Sequence, residues 1–408
     1  MDRCSCLAHG MSDLSLSQLI AAAVLDLVNS APNGYGNVRL PRAQDLHEYC
    51  HAWALEQVRM RAEQNMIMGL RIVVGRWLQT CSRRIERSWY IRAIVEKDGK
   101  NVEFVWARRQ LFDQHVVSVL HELCMDNARA GLLITSVSIA EVTLPRVNPL
   151  DFSGLVGACD KLLGISPWKC AHAARNLHSL GFISSPLHTT RKFDPAFDAR
   201  SAALRLAGAA DWREYATRLL DGRGFASPPT ECGSNSGHSP IHPLKLASPA
   251  DVGDDWKVYE LIARHFLACC SQDAHGNRYD IHGGIAGEQF ETSALIVTSV
   301  GSWLDVYPYL TIGSAPLPYF QPCELCPFVL LDLVEARVCP SQLLYETNLY
   351  FAMERAGVSA GLHVCDIIEE LRARGMVERN GLEIQPSQLG LTTIWNSDMD
   401  GRVRAQQA

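Results

Sequence analysis

The sequence predicts a mixed α/β, multidomain chain, and three observations predict it. At 408 residues the chain is longer than one hydrophobic core usually organises. Apolar residues recur at helical spacing in residues 14–28, 45–64, 150–225 and 256–270. Between the helical stretches, residues 88–107 and 277–310 carry the alternating patterns of strands. The composition, 47% apolar and 20% charged, is that of a folded globular protein. No uninterrupted apolar run is long enough to span a membrane. Residues 19–28 contain Asp26 and lack a basic flank, so they do not read as a signal peptide.

Taken in order, the first 70 residues read mostly helical, broken by a loop at residues 30–37 where Pro32, Asn33, Gly34 and Gly36 cluster. Residues 88–95 and 102–106 alternate on either side of Asp98-Gly99, a strong hairpin signal. Trp89 and Trp106 are expected to face each other across it, as packing rather than as base-stacking platforms. Ser166-Pro167-Trp168 starts a helix, with Ser166 as N-cap and Pro167 in the first turn. That helix is expected to run to about residue 179 and to stop at Gly181. A helix, a glycine stop and then Phe182-Ile183-Ser184 reads as the tail of a winged-helix unit. Residues 366–377, ending Arg374-Gly375-Met376-Val377, repeat that shape, so two such units are expected at about 155–190 and 340–385. Residues 222–255, rich in Gly, Ser and Pro, read as a long loop. Strands return at 278–281, 289–291 and 294–297, so sheet segments flank a helical insert.

The net charge of −6 does not favour nucleic acid, but charge is uneven. Between Arg71 and Gln110 stand ten basic residues (Arg71, Arg76, Arg83, Arg84, Arg87, Arg92, Lys97, Lys100, Arg108, Arg109) against four acids. A stripe of this kind can bind phosphates; a solvated sheet edge blunted by cations is the equal alternative. Cys323-x-x-Cys326 and Cys4-x-Cys6 each lack a second matching pair, so no metal site is expected. Cys269-Cys270 reads as core. Cysteines in this unpaired number suit a reducing compartment, cytosol or nucleus.

Gly181-Phe182-Ile183-Ser184-Ser185-Pro186-Leu187 resembles the active-site motif of type IA DNA topoisomerases, topoisomerase III branch, which reads Gly-Tyr/Phe-Ile-Ser-Tyr-Pro-Arg-Thr. His238-Ser239-Pro240-Ile241-His242-Pro243-Leu244-Lys245 is similar to the family's His-Pro-Pro-Ile-His-Pro-Thr-Lys. Residues 259–274, from Tyr259-Glu260-Leu261-Ile262 to Gln272-Asp273-Ala274, are close to the eukaryotic pattern at almost every position. Weaker likenesses follow at Leu304-Asp305-Val306-Tyr307-Pro308-Tyr309, Leu343-Leu344-Tyr345-Glu346 and Gln388-Leu389-Gly390.

The resemblance implies a toroidal core of helical and winged-helix domains plus an arched sheet. Residues 1–70 and 336–408 would form a helical domain with a single-strand groove. Residues 71–150 and 276–335 would form the sheet, and residues 151–275 the winged-helix domain that carries the catalytic tyrosine in the family. It also implies losses. Ser185 stands at the tyrosine and Leu187 at its arginine neighbour, while His238 keeps the active-site histidine. The family's Gly-Ile-Gly-Thr-Asp-Ala-Thr loop becomes Gly357-Val358-Ser359-Ala360-Gly361-Leu362-His363. The TOPRIM domain, which carries a catalytic glutamate and binds Mg2+ in the family, has no counterpart, so no cofactor is expected on this chain.

The expected function is therefore that of an inactive topoisomerase III-like protein that binds single-stranded DNA through Arg71, Arg76, Arg83, Arg84, Arg87 and Lys245. It would work in the nucleus beside a RecQ-type helicase or an intact paralogue. The alternatives are a subunit completed by a TOPRIM domain on another chain, and an interaction scaffold without DNA binding.

Overall fold

The computed structural model describes residues 43–82, 86–187, 189–222, 224–230, 239–338, 344–358, 361–381 and 383–407, with side chains from 59 to 397 except at 82, 86 and 338. The helix expected at 14–28 and the loop at 30–37 lie outside these. In chain order the elements are α1 (Ala43–Ser82), β1 (Glu86–Lys97), β2 (Lys100–Trp106), α2 (Gln114–Asp126), β3 (Leu132–Leu144), α3 (Phe152–Leu163), α4 (Pro167–Ser179), α5 (Ala199–Leu206), α6 (Arg213–Asp221), α7 (Pro249–Val252) and α8 (Trp256–Cys269). Then come β4 (Ala274–Ile285), β5 (Glu288–Val297), β6 (Leu325–Cys326), β7 (Phe328–Val338), β8 (Leu344–Tyr345), α9 (Glu346–Arg355), α10 (Leu362–Ala373), β9 (Val377–Asn380), β10 (Glu383–Pro386) and α11 (Gln388–Gln407). They fall into two compact units. One takes Gln79–Ile165 and His172–Gln342; the other takes the chain up to Leu78, Ser166–Ala171 and Leu343–Ala408.

The first unit is built on an antiparallel sheet in the order β6-β3-β4-β5-β2-β1-β7. Its two edge strands, β6 and β7, are separated in sequence by Pro327 alone. A sheet whose opposite edges are joined by one residue has to curl, and Glu96 N donates to Pro327 O at 3.1 Å where the edges approach. Curling abolishes most of the exposed edge. The concave face packs Ile91, Ala93, Phe104, Trp106, Ile134 and Phe290 against Val117 and Cys124 of α2. α2 starts because Asp113 caps it, accepting from His115 N and Val116 N.

At the β1–β2 turn, Asp98 and Gly99 both take positive φ (52° and 70°), the geometry of a two-residue type I′ hairpin. That turn pairs Lys97 with Lys100 and Arg92 with Val105. The register corrects one expectation: Trp106 pairs with Phe290, and Trp89 with Glu335 and Leu111, so the two tryptophans do not face each other. Trp106 is fully buried, and its Nε1 donates to Glu288 Oε2 at 2.8 Å.

The helical part of this unit packs α3, the part of α4 from His172 onwards, α5, α6 and α8. The expected Ser166 cap, in the segment that belongs to the other unit, is present: Ser166 O accepts from Cys170 N at 2.9 Å, and its Oγ lies 3.5 Å from Lys169 N. The stop at Gly181 is present too. Its φ of 74° lets Phe182 N reach back to Leu177 O at 2.9 Å, a closure open to glycine at little cost. Cys269, the last residue of α8, and Cys270, its C-cap, are both buried in the core.

His265, also on α8, is buried between Asn148 O, which accepts from Nε2 at 2.7 Å, and the Tyr307 hydroxyl, 3.1 Å from Nδ1. The neutral ring satisfies both partners, and burial pushes its pKa down to about 4. A depressed histidine contributes stability that is complete above about pH 6.5 and is lost as pH falls towards 4. The expected loss is about 3 kcal/mol at pH 4. Melting temperatures from pH 7.5 to 4.5 should fall more steeply for the wild type than for His265→Gln; parallel curves would contradict this.

In the second unit, β8-α9-α10-β9-β10 runs strand, two helices and a hairpin, with a sheet ordered β8-β10-β9. α1 runs on to Ser82 because Met66, Leu70, Val73 and Val74, all buried, repeat at helical spacing. Arg71 and Arg76 therefore sit on a helix, not on a sheet edge.

Candidate nucleic-acid interface

Two segments more than fifty residues apart in sequence meet at the end of α4. Ser184 N donates to His242 O at 3.0 Å, and His242 N donates to Ser184 Oγ at 3.0 Å. Ser184 Oγ donates in turn to Pro240 O at 2.9 Å. Leu244 N donates to Phe182 O at 2.8 Å, and Ile183 bridges Pro243. Ile241 extends the pairing to Leu150. Ser184, not Ser185, is the structural serine: it is buried and uses its hydroxyl in both directions.

Ser185 is half-buried, and its Oγ accepts from Leu187 N at 3.4 Å. Leu187 is 54% exposed. Lys245, exposed, belongs to the paired segment. Its Nζ lies 3.4 Å from where a Cβ would stand on Gly181, which places this cation beside the motif's first residue. Tyr259 of α8 fixes the same segment, donating its hydroxyl to Lys245 O at 2.7 Å and accepting from Ala247 N at 3.1 Å. Burial raises the Tyr259 phenol to about 12. His238 lies outside the described residues.

Three further residues hold this surface, and none of them was singled out by the sequence. Asp151 caps α3 through Gly154 N at 2.7 Å and receives Arg191 Nε at 2.7 Å. Asp151 directly before an apolar periodic helix is a legible cap signal; Arg191 carries no such signal. His242 is buried, with Phe197 4.9 Å away between ring centroids. Burial lowers its pKa, and its Nδ1 donates to Pro240 O at 2.8 Å, so the ring is a neutral scaffold.

Five of the ten cations of the basic stripe pair with acids of the same unit. Arg87 pairs with Glu335 at 3.6 Å and Arg92 with Asp332 at 3.7 Å. Lys97 pairs with Glu324, and Arg109 with Glu291. Arg108 grips the buried Glu288 at 2.8 and 2.9 Å. The local excess of positive charge in the sequence is thus met by acids between residues 288 and 335. In the second unit Arg71 Nη2 donates to Ser397 Oγ at 3.3 Å, and Arg76 shares its helix. Arg83 and Arg84 are outside the described residues. In the 357–363 loop, Gly361 N donates to Tyr350 OH at 3.1 Å and His363 is exposed. Ser359 and Ala360 are outside the described residues.

Among the described residues no group of His, Cys, Asp and Glu is placed to hold a metal ion. Cys326 is buried while Cys323 is exposed on a positive-φ turn. No described helix is long and apolar enough to cross a membrane.

Residues 67–396 match the family described as DNA topoisomerase. The chain is 31% identical over 343 residues to DNA topoisomerase 3 of Schizosaccharomyces pombe, covering 81% of this chain and 54% of that protein. It is 32% identical over 306 residues to DNA topoisomerase 3-alpha of Mus musculus, covering 75% of this chain and 30% of that one. Full-length topoisomerase I from Thermotoga maritima has the same fold over 81% of this chain and 54% of its own length, with a TM-score of 0.64 at 18% identity. The chain thus spans about half the length of the fission-yeast relative and less of the mouse one.

Proposed function

The chain belongs to the type IA DNA topoisomerases, and from that premise we propose that it handles single-stranded DNA without cutting it. The observation that carries this reading is the side chain at the motif's nucleophile position. The motif's backbone is intact from Gly181 to Pro186, paired with residues 240–244, yet the oxygen it offers is the Ser185 hydroxyl. The reaction of the family is a reversible transfer of a phosphoryl group from DNA to an enzyme oxygen. The attacking oxygen must later leave. A phenol with a pKa near 10 does so far more readily than an alkyl hydroxyl, which needs a strong neighbouring base to attack at all. Among the described residues Ser185 Oγ accepts from the Leu187 backbone amide, and Leu187 supplies no cation for the charge that develops. Tyr259 is no substitute: both its hydroxyl bonds are used on the 245–247 backbone.

Binding of a strand is supported separately. Lys245 is presented beside Gly181, and Arg71 is exposed on α1. A role in the nucleus beside a helicase or an intact paralogue is the setting this reading suits. The test is a titration with a fluorescent oligothymidylate at low and moderate salt, followed by a denaturing gel. The expected result is binding that weakens steeply with salt, as phosphate contacts require, and no covalent adduct. An adduct formed with magnesium, alone or after adding a TOPRIM-bearing partner, would overturn the reading in favour of a working subunit. Absence of binding at either salt would leave an interaction scaffold.

A further inference from the structure

Beside the paired segments, Phe193 and Phe197 stack with ring centroids 4.4 Å apart and planes 13° from parallel. Both rings meet His242, at 5.5 and 4.9 Å. The same two rings line a cavity of about 170 Å³, whose other walls include Phe225, Arg200, Pro228 and Thr230. Arg200 holds its guanidinium over the Phe225 ring, 5.4 Å from the centroid, and donates to Leu220 O. Asp198 also borders the cavity, but its carboxylate is engaged as the cap of α5, accepting from Ser201 N at 2.9 Å.

Size and chemistry together select an occupant. An apolar cavity of ~150 Å³ holds one benzene ring, whereas larger ligands need roughly 300 Å³ or more. A cavity of about 170 Å³ therefore suits one six-membered ring with small substituents. Phenylalanine faces with a guanidinium close by are the surroundings in which nucleobases stack. The cavity is also one ring layer from the DNA-handling motif, because the His242 amide that bonds Ser184 belongs to the residue whose ring meets Phe193 and Phe197.

The geometry points to a pyrimidine pocket: one base of a bound single strand turns out of its stack into the cavity and rests against Phe197, with Phe225 and the Arg200 guanidinium at its edge. This rests on the single-strand reading above. It adds a base-sized site to a surface otherwise described by phosphate contacts.

The test uses the full chain and compares oligothymidylate with an abasic strand of equal length, in the wild type, Phe225→Ala and Thr230→Trp. The first variant removes one wall and the second fills the cavity; both positions are partly or fully exposed. Melting curves check that each variant folds. The wild type should prefer oligothymidylate to the abasic strand. Each variant should lose about tenfold in affinity for oligothymidylate, as loss of one stacked base entails, with its salt dependence unchanged. Variants that bind oligothymidylate as the wild type does would overturn the pocket while leaving strand binding intact. A wild type that binds neither strand would overturn strand binding itself, and the pocket with it.

Discussion

A hypernegatively supercoiled plasmid incubated with this chain and magnesium is expected to keep its linking number, and Ser185→Ala is expected to change nothing. Removing a covalent nucleophile lowers turnover by about six orders of magnitude even when the rest of a site is intact. Here the motif position offers a serine whose oxygen accepts from the Leu187 amide at 3.4 Å, with an exposed leucine where the motif carries arginine. One long amide hydrogen bond stabilises an alkoxide only weakly, and the leucine carries no charge to stabilise a departing oxygen. Topoisomers separated on an agarose gel provide the check. Relaxation that disappears in Ser185→Ala would show that the hydroxyl attacks, and the proposed function would fall.

Gly390→Ala is expected to lower the stability of the second unit by about 3 kcal/mol or more. A Cβ at this position would stand 2.1 Å from Met376 O and 3.1 Å from Leu70 Cδ1. Met376 O is fixed, because it accepts from Ser387 N at 3.1 Å, and Ser387 Oγ donates to Gly375 O at 2.6 Å. Relief therefore requires α11 to leave the turn after α10, breaking those bonds and the packing on Leu70. Gly75, on α1, is the control: nothing lies within 4 Å of its Cβ position, so Gly75→Ala should be neutral or raise stability by up to about 1 kcal/mol. Thermal unfolding followed by circular dichroism separates the two. Equal melting temperatures for Gly390→Ala and the wild type would contradict the close approach.

The likeness at Gln388-Leu389-Gly390 was legible as a motif, but its cause was not. A glycine inside a helix reads as a local cost until the carbonyl that faces it is known. The Asp98-Gly99 hairpin, the Ser166 cap and the Gly181 stop were legible because each depends on residues adjacent in the chain. The Trp89–Trp106 pairing went wrong because facing depends on register, and register is set by the turn geometry and by strands β5 and β7, more than 180 residues away. The basic stripe shows the same division. Its ten cations are a sequence fact, whereas the acids that pair with five of them come from residues 288–335 and meet them only in the curled sheet.

What the sequence by itself determined was the identity of the atoms at residues 185 and 187, a serine oxygen and a leucine, at the positions where the resemblance implies a phenol and a guanidinium. Covalent identity needs no fold to be read. What only the tertiary structure decided was which groups share a surface. It joined residues 181–186 to 240–244, gave Ser184 the structural role beside Ser185, and set Asp151 against Arg191. It also opened a base-sized cavity behind His242. These juxtapositions arise from burial and backbone pairing between segments distant in sequence, and no local pattern of residues encodes the distance between them.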